Sequence, residues 1–288
     1  MTEPRVHLNA IKSSSREVLS PFEDGSIIWR EWGADNTARP PLVLLHGGSG
    51  AWNHWVRNIP SLAKHHRLLV ADLPGCGDSD EPSRPYDAPS LAAIMSGAID
   101  HILPGSVSFD LVSFSFGGVL SGLIAHKQAH RIRSLTLIGV PILGLAGTGP
   151  ANDLVEIPSD MSEAEAAPLY RRNLQKLMFG DPAAADDLAL AIQVDNMAKA
   201  RLRSRGIARS RVLADSLKGL PCPLNCIIGE KDATLDPDLE TNRDYIAGIL
   251  PAARFCVVPR AGHWVQFERA ETVNTLLREL LVSGPKFS

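Results

Sequence analysis

Cysteine is scarce in this 288-residue sequence: there are four, Cys76, Cys222, Cys226 and Cys256. They are too few and too scattered for a disulfide framework, and Cys222 and Cys226 have no matching His or Cys pair with which to hold zinc, so free buried thiols are expected. A surplus of positive charge is also missing, with 29 Lys plus Arg against 32 Asp plus Glu and a net charge of −3. No large positive field gathers nucleic acid, which is dropped as a partner. No stretch approaches the roughly 18 continuous apolar residues of a membrane span, and Met1–Ala10 carries no apolar run resembling a leader. The expectation is therefore a cytoplasmic protein with no membrane partner. Internal repeats and low-complexity segments are absent too. What is present is ordinary: 44% hydrophobic and 21% charged residues, the balance of a globular protein long enough to bury a substantial core. Length alone allows one large or two ordinary domains and leaves the oligomeric state open, a homo-oligomer included.

Short aliphatic runs alternate with longer amphipathic stretches. The runs are 41–45, 67–71, 109–113, 135–138, 224–228 and 254–258. Most are apolar continuously rather than alternately, as strands covered on both faces are, which predicts a mostly parallel sheet with helices on each side. Two earlier runs, 15–20 and 26–32, flank the turn signal Glu23-Asp24-Gly25 and predict a hairpin at one edge, for a total of about eight strands. The alternation breaks between 141 and 215. There Gly/Pro-rich text (141–150) leads into helix-forming sequence with no convincing strand. The reading is an α/β core of residues 1–140 and 216–288 with a helical cap, 141–215, inserted over the site.

The sharpest chemical signal is Ser113-Phe114-Ser115-Phe116-Gly117-Gly118, directly after one strand and before the helical run 119–129. A nucleophile on a strained strand-to-helix corner needs small residues two before and two after it, so that backbone can pass close by. Ser113 and Gly117 meet that need, although the common pattern has glycine at the first position. His46-Gly47-Gly48-Ser49-Gly50 follows the 41–45 strand. That is where a loop can donate one backbone N–H to an oxyanion. The donors read from the sequence are the N–H groups of Gly48 and Phe116, with Ser49 open as the alternative to Gly48. Two later strands end in Gly229-Glu230-Lys231-Asp232 and Ala261-Gly262-His263-Trp264. They supply a carboxylate and an imidazole in the order Ser, Asp, His, with Glu230 a rival for the acid. Three groups at the carboxyl ends of strands in one sheet converge on one edge. Ser115 is then the nucleophile, His263 the general base and Asp232 the acid orienting it. This chemistry calls for no cofactor and no metal. Its partner is a small-molecule substrate, and its rate should climb through an ionisation near the reference histidine value of about 6.5. His54, Phe114, Phe116 and Trp264 adjoin these elements and are expected to face the cleft as substrate-binding residues.

Together these segments resemble the α/β-hydrolase superfamily over nearly the whole chain. The segment Asp72-Leu-Pro-Gly-Cys-Gly-Asp-Ser79 is similar to the superfamily's turn after its fourth strand. The resemblance implies an α/β-hydrolase fold with a cap, and hydrolysis of an ester, lactone, amide or carbon–carbon bond. A serine at 115 disfavours the dehalogenases and epoxide hydrolases, whose nucleophile is aspartate. Trp52, Arg57-Asn58-Ile59 and Trp264 resemble the meta-cleavage-product hydrolases. Those enzymes usually carry Asn, Asn and Pro where this chain has Phe114, His54 and Ser49. The loss of those polar contacts ranks a carboxylesterase first and a carbon–carbon hydrolase second. A small-molecule receptor with negligible turnover is the reading from another class, and the intact Ser115, Asp232 and His263 argue against it.

Overall fold

A computed structural model describes residues 2–144, 153–158, 160–235 and 238–282. The eight strands form one sheet in the order β1-β2-β4-β3-β5-β6-β7-β8. The edge hairpin is β1 (Arg16–Phe22) and β2 (Gly25–Trp32), antiparallel around a two-residue turn in which Glu23 takes the left-handed φ of 46°. β2 runs antiparallel to β4 (Leu68–Ala71). From there the sheet is parallel through β3 (Leu42–Leu45), β5 (Phe109–Phe114), β6 (Ile132–Ile138), β7 (Leu224–Gly229) and β8 (Arg254–Val258). The expected fold class and strand number are both found.

The continuously apolar strands divide their side chains between two cores, because successive residues point to opposite faces. Val43 and Leu45 of β3, with Leu69 and Ala71 of β4, enter the core covered by α3 (Ala88–Ile102) and α4 (Phe116–Lys127). Leu42, Leu44, Leu68 and Val70 enter the other, beneath α2 (Ile59–Leu62), α10 (Val265–Glu268) and α11 (Ala270–Val282). Burying each such side chain contributes about 1.5–3 kcal/mol, an upper estimate for an extended unfolded chain. α9 (Leu239–Ile249) links β7 to β8.

Between β6 and β7 the described chain is helical: α5 (Glu163–Leu177), α6 (Asp187–Lys199), α7 (Arg205–Ala208) and α8 (Val212–Ser216). Most of the Gly/Pro-rich lead of the expected cap, 145–150, lies outside the described residues. α5 and α6 pack on one another, whereas α8 lies on α4 of the core, where Ser216 leaves no room for a side chain at Gly122. Helix α1 (Glu3–Ser13) was not foreseen from the sequence. It buries Leu8 and packs against α6. Among the described residues no helix is long and apolar enough to cross a membrane.

Candidate active site

Ser115 sits at the corner where β5 turns into α4, with φ 48° and ψ −117°, a conformation disfavoured for any residue with a Cβ. The corner survives because its surroundings over-determine it. The Ser115 N–H donates to Ile138 O at 3.1 Å and the Gly117 N–H to His46 O at 3.0 Å. A side chain at Gly117 would place its Cβ 2.6 Å from that same carbonyl, so only glycine fits. Serine at 113 is accommodated by chemistry as well as size, since its hydroxyl accepts a 2.6 Å hydrogen bond from Ser121 on α4.

The imidazole of His263 lies between the other two groups. Its Nε2 is 2.9 Å from Ser115 Oγ, and its Nδ1 is 3.0 Å from each oxygen of Asp232. A carboxylate can only accept, so the proton is on Nδ1 and Nε2 is free to take the serine proton. Burial favours the neutral form of Asp232, but His263 and the Thr234 hydroxyl and N–H outweigh it and hold the carboxyl below the usual aspartate range. Glu230, the rival acid, is exposed and accepts from the Arg260 N–H at 2.8 Å; it does not reach the histidine.

Backbone stitching brings the two loops together. The Glu230 N–H donates to Val258 O and the Lys231 N–H to Ala261 O, at 3.0 and 2.8 Å. Gly139, at the end of β6 with φ 52°, leaves room for His263 O, which would stand 2.5 Å from a Cβ there. Glu268 adds a contact that the sequence did not disclose. Its buried carboxylate accepts N–H groups from Gly262 at 2.7 Å, Gly180 at 3.0 Å and Asp181 at 2.9 Å. The loop carrying the histidine is thereby pinned to the segment after α5.

The glycine loop after β3 is held by His46. Its Nδ1–H donates to Gly47 O at 2.7 Å and its Nε2 accepts the Leu73 N–H at 2.8 Å. Burial pushes this histidine down to about 4, so it is a neutral strut joining two loops. Gly48 approaches Phe116, whose Cβ lies 3.7 Å from the position a Gly48 side chain would take. Phe116 is the first residue of α4, where helix N–H groups have no partner within the helix. Cys76 is buried nearby, and that burial pushes its thiol up to about 12.

A cavity of about 650 Å³ lies between this loop and the inserted helices, bounded by Gly48, Ser49 and His54 below and by apolar side chains such as Leu174, Leu177, Met178 and Met197 above. His54 borders it as expected. Burial, with His46 and His263 adding, keeps that ring well below the usual histidine range and so uncharged. Phe114, Phe116 and Trp264 correct the expectation that they face the cleft. Phe114 is 1% exposed and packs behind His263, ring centroids 5.0 Å apart. The Phe116 side chain is buried in the α3/α4 core. Trp264 is fully buried, stacks on Phe267 at 4.3 Å and donates its Nε1–H to His54 O. In each case burying a large apolar ring wins over exposing it to a cleft.

A family model described as the α/β hydrolase family matches residues 42–276. The chain is 30% identical over 256 residues to the dihydrolipoyllysine-residue acetyltransferase component of the acetoin cleaving system of Pseudomonas putida; the match covers 85% of this chain but only 64% of that protein. It is 27% identical, over 98% of its own length and 99% of the other, to the 2-hydroxy-6-oxononadienedioate/2-hydroxy-6-oxononatrienedioate hydrolase of Paraburkholderia phymatum. Among solved structures, a carboxylesterase from Bacillus subtilis superposes with a TM-score of 0.76 at 18% identity, covering 98% of this chain and 99% of that one. At that identity the likeness is one of fold.

Proposed function

The chain belongs to the α/β hydrolase family, and from that premise we propose that it is a serine hydrolase cleaving a small carboxylic ester through an acyl-enzyme. One observation carries the reading: a serine on a strained corner, 2.9 Å from an imidazole whose other nitrogen is held by a buried carboxylate. In this reading His263 takes the Ser115 proton as the oxygen attacks the ester carbonyl, and returns it to the departing alkoxide. Water then repeats the sequence on the acyl-enzyme, while Asp232 stabilises the imidazolium in both halves. The N–H groups of Gly48 and Phe116 receive the oxyanion. Losing one such donor typically costs about 100- to 1,000-fold in turnover. Residues 141–215 act as the cap, and the 650 Å³ cavity, whose lining mixes Leu174, Leu177 and Met178 with Glu156, Gln193 and Arg205, accommodates an acyl or alcohol group of moderate size.

The second reading, hydrolysis of a carbon–carbon bond in a 2-hydroxy-6-oxo-dienoate, draws support from the full-length similarity to the Paraburkholderia enzyme. Against it stand Phe114 and Ser49 where those enzymes usually carry Asn and Pro, and the buried, uncharged His54.

Hydrolysis of p-nitrophenyl butyrate by the wild type and by Ser115→Ala, both verified as folded by circular dichroism, tests the proposal. Turnover falling by about 10⁴-fold or more in the variant is the expected result. Full activity in the variant rules out Ser115 as nucleophile. A wild type inactive on esters but bleaching a 2-hydroxy-6-oxo-dienoate selects the second reading.

A further inference from the structure

Thr234, two residues beyond the acid, does more than close a turn. Its hydroxyl donates to Asp232 Oδ1 at 2.7 Å, its backbone N–H donates to the same oxygen at 2.9 Å, and Oγ1 lies 3.0 Å from His263 Nδ1. The side chain is buried, so solvent does not replace these contacts. We propose that Thr234 is a positioning residue for the acid–base pair, its hydroxyl sharing the Asp232 carboxylate with the imidazole and setting how much of that negative charge the imidazolium feels. This rests on the reading of Ser115 as nucleophile.

A carboxylate oxygen that already accepts two hydrogen bonds has part of its charge neutralised and offers less to a third donor. The hydroxyl thus takes a share of the Asp232 charge that would otherwise fall on the imidazole alone. It also holds the carboxylate plane so that both oxygens stand 3.0 Å from Nδ1. The surroundings leave few rivals for this role. The titratable groups facing the imidazole are Asp232, from the loop after β7, and His54, which burial keeps neutral. From α4 comes Ser115, from β5 the Phe114 ring, and from the end of β6 Gly139, none of them charged. Glu230 is turned away to the Arg260 N–H.

The test compares wild type, Thr234→Val, Thr234→Ala and Thr234→Ser in two ways: the pH dependence of kcat/KM on p-nitrophenyl butyrate, and NMR titration of the His263 ring. Removing the hydroxyl should move the acid limb of the profile and the ring titration upward together by about half a pH unit, with kcat falling several-fold, and Thr234→Ser should restore both. Alanine keeps the test valid should valine fail to fold. Loss of thermal stability alone, with titration and profile unmoved in both hydroxyl-free variants, overturns the proposal. The ring titration needs no turnover. If the wild type hydrolyses no ester yet the titration shifts as expected, the proposed function fails while the coupling stands. A moving profile with no Ser115→Ala effect indicts the nucleophile instead.

Discussion

The floor and the roof of the site are built differently. On the floor, Ser115, Asp232 and His263 follow the parallel strands β5, β7 and β8, and short backbone bonds between the loops hold them in register. The roof, formed by the helices between β6 and β7, is fastened along two seams. At one, Met178 O accepts the Trp264 N–H and Glu268 gathers Gly180, Asp181 and Gly262. At the other, Gly75 O accepts the Arg201 and Leu202 N–H groups, Lys199 pairs with Asp78 at 2.5 Å, and the buried amides of Asn53 and Asn196 bond each other reciprocally at 2.9 and 2.8 Å. The cavity lies above the glycine loop, with inserted helices over it. The difference teaches that the arrangement of Ser115, Asp232 and His263 depends on strand-end geometry, which is local and steeply enforced, while the shape over the cavity depends on long-range contacts.

The contrast is sharpest at the acid. Asp232→Asn should lower kcat by about 10⁴-fold, because an amide no longer enforces the Nδ1–H tautomer, whereas Glu230→Gln, a neighbour that does not reach His263, should stay within a factor of two of wild type in the same assay; equal losses would reverse the assignment. Backbone packing comes next. Gly117→Ala drives a Cβ against His46 O and should cost about 1–3 kcal/mol with a large fall in kcat. Gly206→Ala in α7 meets no atom within 4 Å and should be neutral or slightly stabilising. Thermal melts of the pair decide whether floor and roof differ as described. The seam should respond least in catalysis. Asn196→Ala leaves the Asn53 amide buried and unpaired, at a cost of about 1–3 kcal/mol, while kcat on the butyrate ester changes little and the preference between short and long acyl chains shifts. Replacing both amides by leucine should recover much of the stability, and a butyrate kcat falling as far as with Gly117→Ala would erase the distinction.

Much of the floor was legible because its signals are short-range. Continuous apolar runs announce strands covered on both faces, and Ser113-Phe-Ser-Phe-Gly117 announces a corner by the sizes of its residues. A carboxylate and an imidazole each placed just beyond a strand need only the strand order to meet. The readings of Phe114, Phe116 and Trp264 failed for a physical reason: adjacency in sequence places a residue near the site but does not orient its side chain. Between cleft and core the pleat of β5, the first turn of α4 and the stacking on Phe267 decided. Glu268 was invisible because a glutamate five residues after a histidine has no local signature; its role exists only once Gly180 and Asp181, more than 80 residues earlier, fold back onto it.

The sequence by itself determined the fold class, the succession of the eight strands along the chain, and the three groups that meet at the sheet edge, because each follows from periodicity, residue size or position at a strand end. Only the tertiary structure decided that Asp232 rather than Glu230 reaches His263, that Glu268 ties the histidine loop to the segment after α5, and that Thr234 contacts both Asp232 and His263. Those outcomes turn on hydrogen bonds whose partners come from different loops, and their directions are set by how the loops pack rather than by any run of neighbouring residues.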